Sequence, residues 1–139
     1  MPCIFCRIAA DEVPSRTVYR DDSVVGFLDA NPLAPGHTLV VPTEHHRRLS
    51  ALPNPLAREL FGSVHTLVDR VETAVDAEAV TVAVNDGAAA GQEVQHVHCH
   101  LVPRFDGDDG GPIHAAMGSR PDLADDELDA IAGRIASGV

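Results

Sequence analysis

From Gln95 to Val102 the chain reads Gln-His-Val-His-Cys-His-Leu-Val, so three of its eight histidines fall on alternate positions. In an extended strand successive side chains point to opposite faces, so His96, His98 and His100 project together while Val97, Cys99 and Leu101 project the other way. The pattern predicts a half-buried strand over 96–102 with an imidazole face. Alternate residues on one side of a strand lie about 7 Å apart, which lets three imidazoles line one small site. A strand built for stability alone would carry Thr, Val or Tyr at those positions. Two chemistries suit the arrangement: a histidine nucleophile backed by its neighbours, or alternate histidines as ligands of one metal ion.

The surrounding residues narrow this. Asn85-Asp86-Gly87 and Gly91-Gln92-Glu93-Val94 precede the histidine strand, and Cys3-Ile4-Phe5-Cys6-Arg7-Ile8, Phe27-Leu28-Asp29 and Pro35-Gly36-His37-Thr38-Leu39-Val40-Val41-Pro42 with His45 stand in order upstream. In order and spacing these stretches, running from residue 3 to about residue 104, resemble the histidine triad (HIT) family in its Hint-like branch of nucleotide phosphoramidases. The resemblance implies an α+β fold, an antiparallel sheet of about five strands with two helices, paired into a homodimer with an extended sheet. It implies an apolar nucleobase slot made by Ile4, Phe5, Ile8 and Phe27, ribose hydroxyls bonded to Asp29, and a phosphate site from Asn85, Gly91, Gln92 and the residue at 93. Many Hint-like chains carry Ser where this one has Glu93, so that carboxylate either points away from a phosphate or takes a proton from a cationic leaving amine. The resemblance further implies zinc held by Cys3, Cys6, His45 and His96 in a structural role, with no magnesium.

Read by itself, the Cys3-x-x-Cys6 pair has three meanings: a metal half-site, a redox pair, or two reduced thiols. A redox pair calls for a βαβ context, whereas Glu12-Val13-Pro14-Ser15 reads as a turn, which favours metal. Three cysteines in all fit a reducing compartment, and no stretch approaches the roughly 18 apolar residues needed to span a bilayer. A cytoplasmic protein is therefore expected. Ten basic residues, all Arg, stand against 21 acidic ones for a net charge of −11. That balance disfavours a nucleic-acid partner, whose affinity rests on neutralising phosphates, but a local set of donors can still hold one small phosphate because surface charge is screened over about 8 Å.

The 139 residues are read as one domain, with a zinc and nucleobase segment over 1–8, the histidine strand over 96–102 and a flexible acidic loop over 105–124. Residues 16–20 and 23–29 read as a hairpin turning at Asp21-Asp22, and His37 to Val41 as a strand ended by Pro42. His37 is expected to be structural, its ring bonded to nearby backbone. Asn54 as cap and Pro55 in the first turn open a helix whose Leu56, Leu60, Val64, Leu67, Val68, Val71 and Val75 recur at helical spacing. Val80 to Val84 reads as a strand, and the small residues Ala88 to Gly91 as a loop whose amides approach an anion. A last short helix after Ala124 would turn Leu128, Ile131 and Ile135 inward.

The leading expectation is nucleotidyl transfer to His98 with His100 and His96 in support, then hydrolysis of the nucleotidyl-histidine to release a nucleotide, most simply an adenosine one. Two other readings stay open: a metal-dependent hydrolase with His96, His98 and His100 on one ion, and a nucleotide-responsive binding module whose turnover is incidental.

Overall fold

The computed structural model describes residues 3–138. In chain order the elements are α1 (Ile4–Ala9), β1 (Thr17–Arg20), β2 (Val24–Leu28), β3 (Thr38–Pro42), α2 (Asn54–Val75), β4 (Ala79–Ala83), β5 (Cys99–Arg104) and α3 (Asp125–Ala136). The strands form one antiparallel sheet in the order β1-β2-β3-β5-β4. The α+β fold and the five strands are as expected; the third helix, α1, is not. Six residues are too few to hold a helix by themselves. Here the thiol of Cys3 accepts from the Cys6 amide at 3.2 Å, and Phe5 and Ile8 are buried.

The sheet is covered on both sides, and period-two alternation assigns the residues. Val24, Val40, Val97, Cys99 and Leu101 pack against Leu56, Leu60, Val64, Leu67 and Val71 of α2. Val25, Phe27, Leu39 and Val41 face the other way and pack against Phe5 and Ile8. Leu60 and Leu67 are almost wholly enclosed, and burial of each contributes about 1.5–3 kcal/mol. Gly36 opens β3 with φ +87°, where a Cβ would stand 2.9 Å from a methyl of Val75. The turn therefore needs glycine both for its dihedral and for the close approach of α2.

Four local expectations are corrected. The helix α2 is capped at Pro53, without a side-chain bond, and Asn54 is already its first residue. The β5 ladder begins at Cys99 rather than at His96. Its last pair with β3 is Val40 with Cys99, and two residues further Pro42 has no N–H to continue while its carbonyl is taken by the His96 ring at 2.8 Å. The segment after Arg104 is not loose throughout, because Arg104 and Asp108 tie residues 104–111 into a compact loop. In α3 only Ile131 is half-buried; Leu128 and Ile135 are exposed, because the helix lies outside the two packed layers instead of closing on the sheet.

Candidate active site

The three alternating histidines keep a common side although two of them precede the ladder. Val97, Cys99 and Leu101 enter the α2 core, and the imidazoles face α1: the Phe5 ring meets His96 edge-on at 6.0 Å and His98 at 5.0 Å between centroids. His98 and His100 stand 5.0 Å apart. Hydrogen bonding fixes each ring. The Pro42 carbonyl accepts from Nε2 of His96, which leaves the Nδ1 lone pair facing the thiols. The His96 carbonyl accepts from Nδ1 of His98 at 2.8 Å, which leaves the Nε2 lone pair of His98 unprotonated.

A fourth histidine fixes the third. The Leu33 amide donates to Nδ1 of His37 at 3.0 Å, so the His37 proton sits on Nε2 and is donated to Nδ1 of His100 at 3.0 Å. His100 must then carry its own proton on Nε2. His37 is enclosed (2 % exposed) and lies 3.7 Å from an Asp29 carboxylate oxygen. Burial lowers the pKa of His37 and, with the neighbouring imidazoles His98 and His37, brings that of His100 to about 4; both rings are neutral at pH 7. The structural role expected for His37 is found, and its contact with His100 is additional. The sequence signal was a histidine at the start of β3, whose register with β5 only the folded sheet reveals.

A cavity of about 490 Å³ adjoins these rings, within the roughly 300–1,000 Å³ usual for small-molecule sites. Ile4, Phe5, Ile8, Phe27, Asp29, Asn85, Gly91, Glu93, His98 and His100 all line it, as do Ser15 and Arg16, which nothing in the sequence singled out. Asp29 also anchors its own turn, accepting from the Asn31 amide at 2.9 Å. Of the expected catalytic histidines His96 does not reach the cavity, being wholly enclosed, and of the expected nucleotide-binding residues Gln92 does not. It is buried, its oxygen accepts from the Gly87 amide, and its nitrogen donates to the Arg47 and Val94 carbonyls. Both amide hydrogens are engaged, so it braces the loop and has none left for a phosphate. The Ala90, Gly91 and Gln92 amides likewise turn inward onto the Gly87 and Ala88 carbonyls, so the small-residue loop offers fewer backbone donors than its composition predicts.

Beside the cavity, Cys3, Cys6, His45 and His96 bring four donor atoms within 4.8 Å of one another. Their mutual distances run from 3.1 to 3.7 Å. A tetrahedral zinc with sulfur at about 2.3 Å and nitrogen at about 2.0 Å would space its ligands about 3.3–3.8 Å apart. The two thiols and two imidazoles fit such an ion, and the set lacks the oxygen ligands that magnesium requires. A site with His96, His98 and His100 on one ion is not formed, since among the described residues neither possible metal grouping contains His98. Each triad ring is turned to a different partner.

With fold and site in view, the chain belongs to the HIT domain family, whose profile matches residues 10–107. It is 42% identical over 106 residues to an uncharacterized HIT-like protein of Methanocaldococcus jannaschii, covering 76% of this chain and 81% of that one. It is 35% identical over 106 residues to an adenylylsulfatase of Arabidopsis thaliana, covering 76% of this chain and 54% of that protein. Among solved structures, a HIT protein of Bacillus subtilis superposes with a TM-score of 0.85 at 30% identity over 100% of this chain and 98% of its own. A zinc-bound histidine triad protein of Mycobacterium smegmatis does so with a TM-score of 0.70 at 31% identity over 100% and 99%.

Proposed function

We propose that the protein is a nucleotidyl hydrolase that cleaves nucleoside 5′-phosphoramidates, adenosine ones foremost, through a covalent intermediate on His98. The observation that carries this reading is the tautomer pattern: an unprotonated Nε2 on His98 beside an N–H on His100, at the mouth of one cavity. A neutral imidazole is a competent nucleophile near neutral pH. His98 Nε2 attacks the α-phosphorus, a nitrogen–phosphorus bond forms, the bond to the leaving amine breaks, and the amine departs with a proton from water. His100 Nε2–H bonds a phosphoryl oxygen as charge gathers there. Water then attacks the phosphorus, His98 is restored, and the nucleoside monophosphate leaves.

In this reading Ile4, Phe5, Ile8 and Phe27 hold the base, Asp29 the ribose, and Asn85 with the Gly91–Glu93 segment borders the phosphate. Zinc on Cys3, Cys6, His45 and His96 supplies cross-linking between α1 and the histidine strand; no step passes through it or through magnesium. The half-exposed edge strand β4, with Val82 46 % exposed, is the surface on which a second copy would extend the sheet into a homodimer.

The reading is tested by release of AMP from an adenosine phosphoramidate. Wild type should turn over, His98→Ala should lose about a thousandfold or more, and chelator-treated wild type that remains folded should keep most of its kcat. Equal loss after chelation would indicate a catalytic metal, and no turnover by wild type would favour a nucleotide-responsive binding module.

A further inference from the structure

The histidine face does not end at His100. Along β5 the same side continues through Val102 to Arg104, and the register with β4 sets Ala83 beside His100 and Thr81 beside Val102. A second cavity of about 360 Å³ lies over this stretch and shares only His100 and Asn85 with the first. The order along the strand is thus base slot at Phe5 and His98, reacting phosphorus at His98 and His100, then the second cavity. A nucleophile attacking in line expels its leaving group on the far side of the phosphorus, and the second cavity is lined by His100 but not by His98 or Phe5.

Leu33, Ala34, Ala83 and Val102 give this second cavity apolar walls, joined by Pro103 and by the uncharged polar Thr81 and Asn85. Its one cation, Arg104, is already engaged. Nε and Nη2 bond the two oxygens of Asp108 at 2.8 and 3.0 Å, and Nη1 bonds Thr81 Oγ1 and the Gly111 carbonyl, each at 3.0 Å. Four of the five N–H groups of a guanidinium are therefore taken. A Cβ at Gly110 would collide with Nη2, so the backbone closes over that end. The Arg104 guanidinium also holds the Asp108 carboxyl well below the usual carboxylate range, which keeps the pair charged and mutually neutralised.

We infer that this cavity is the leaving-group subsite and that the Arg104–Asp108 clamp makes it select uncharged organic groups and reject anionic ones such as sulfate. The inference rests on the phosphoramidase reading. An anionic leaving group would meet no available cation there, in a chain of net charge −11; a neutral aryl or alkyl amine buries its carbon against the four apolar walls.

The test compares kcat/KM for adenosine 5′-N-benzylphosphoramidate, unsubstituted adenosine phosphoramidate and adenylyl sulfate. Wild type should prefer the benzyl compound to adenylyl sulfate at least tenfold. Asp108→Asn, which releases the Arg104 charge, should move that ratio at least tenfold toward adenylyl sulfate, and adding Arg104→Gln should abolish the movement. Ala83→Leu, which fills the cavity without touching the clamp, should lower the ratio of benzyl to unsubstituted compound at least fivefold, and it keeps the inference testable if the loop variants unfold. Unchanged ratios with good turnover would overturn the subsite alone. Absence of turnover on every adenosine phosphoramidate, with no AMP binding, would overturn the subsite together with the reading beneath it.

Discussion

Replacing His37 by Phe keeps a ring of similar size in an enclosed position and deletes both nitrogens. The structure gives the consequences separately. The Leu33 amide and Nδ1 of His100, each 3.0 Å from a His37 nitrogen, lose their partners; Leu33 is exposed and water can replace its partner, so the half-buried His100 nitrogen bears most of the cost, up to about 1–3 kcal/mol for an unsatisfied group. His100 is also free to move its proton to Nδ1, which would withdraw the donor from the phosphoryl oxygen. One ordinary hydrogen bond is worth about 1 kcal/mol and 1.36 kcal/mol is a factor of ten, so kcat should fall about fivefold; with the 1.5–3 kcal/mol of a bond to a charged group the loss approaches a hundredfold. The proposed base slot is untouched, so KM should change less than twofold. Steady-state assays on an adenosine phosphoramidate should be run cold enough that every variant stays folded, with urea melts in parallel. Gln at 37 places an amide N–H near the lost Nε2 and should recover much of kcat. A His37→Phe variant that loses stability but keeps kcat within twofold of wild type would refute a role for His37 in setting the His100 tautomer.

Leu67→Ala, 1% exposed in wild type, should cost about 2–5 kcal/mol in urea melts with kcat unchanged at low temperature, which makes it the control for stability alone. Burial lowers His37 and holds His100 at about 4, against an ordinary value near 6.5. Between those values the unfolded chain binds protons that the folded one refuses, so stability is complete above about pH 6.5 and is lost as the pH falls toward 4, to be read from urea midpoints across that range. Chelation should lower the melting temperature by about 5 °C or more and open Cys3 and Cys6 to alkylation. Cys99, whose thiol burial pushes up to about 11, should label only on unfolding.

Much of this site was legible because β periodicity is a local rule. The alternation around His98 assigned faces correctly even where the ladder is missing, since side-chain direction follows from an extended backbone and not from pairing. Part of what escaped depends on contacts distant in sequence. The Cys3 thiol caps α1 locally, but the short helix rests on burial of Phe5 and Ile8 against Val25, Phe27, Leu39 and Val41, which the periodicity of residues 4–9 does not announce. Gln92 was misjudged because a surface amide and a buried brace look alike until the Arg47 and Val94 carbonyls are in place. The segment from Asp106 to Gly111 has a disordered composition, yet one carboxylate, Asp108, accepts from Arg104 and from the Phe105 and Gly110 amides and orders it. The inward turn expected of Leu128 and Ile135 failed for a different reason: an apolar stripe states that a helix wants a partner without saying where it lies.

The two rings to which the proposed reaction is assigned are oriented by different kinds of atom. His98 is aimed by a main-chain carbonyl, that of His96, whereas His100 is aimed by a side chain, that of His37. No substitution at 96 removes a backbone oxygen, so mutation there disturbs the Cys3–Cys6–His45–His96 cluster and leaves the tautomer of His98 its local cause. A single codon change at 37 does remove the aim of His100. In the proposed reaction the two halves therefore differ in mutational fragility: the nitrogen assigned the attack is protected by the invariance of the peptide backbone, and the one assigned to polarise the phosphoryl oxygen is exposed to any change at a single distant position that removes its N–H donor.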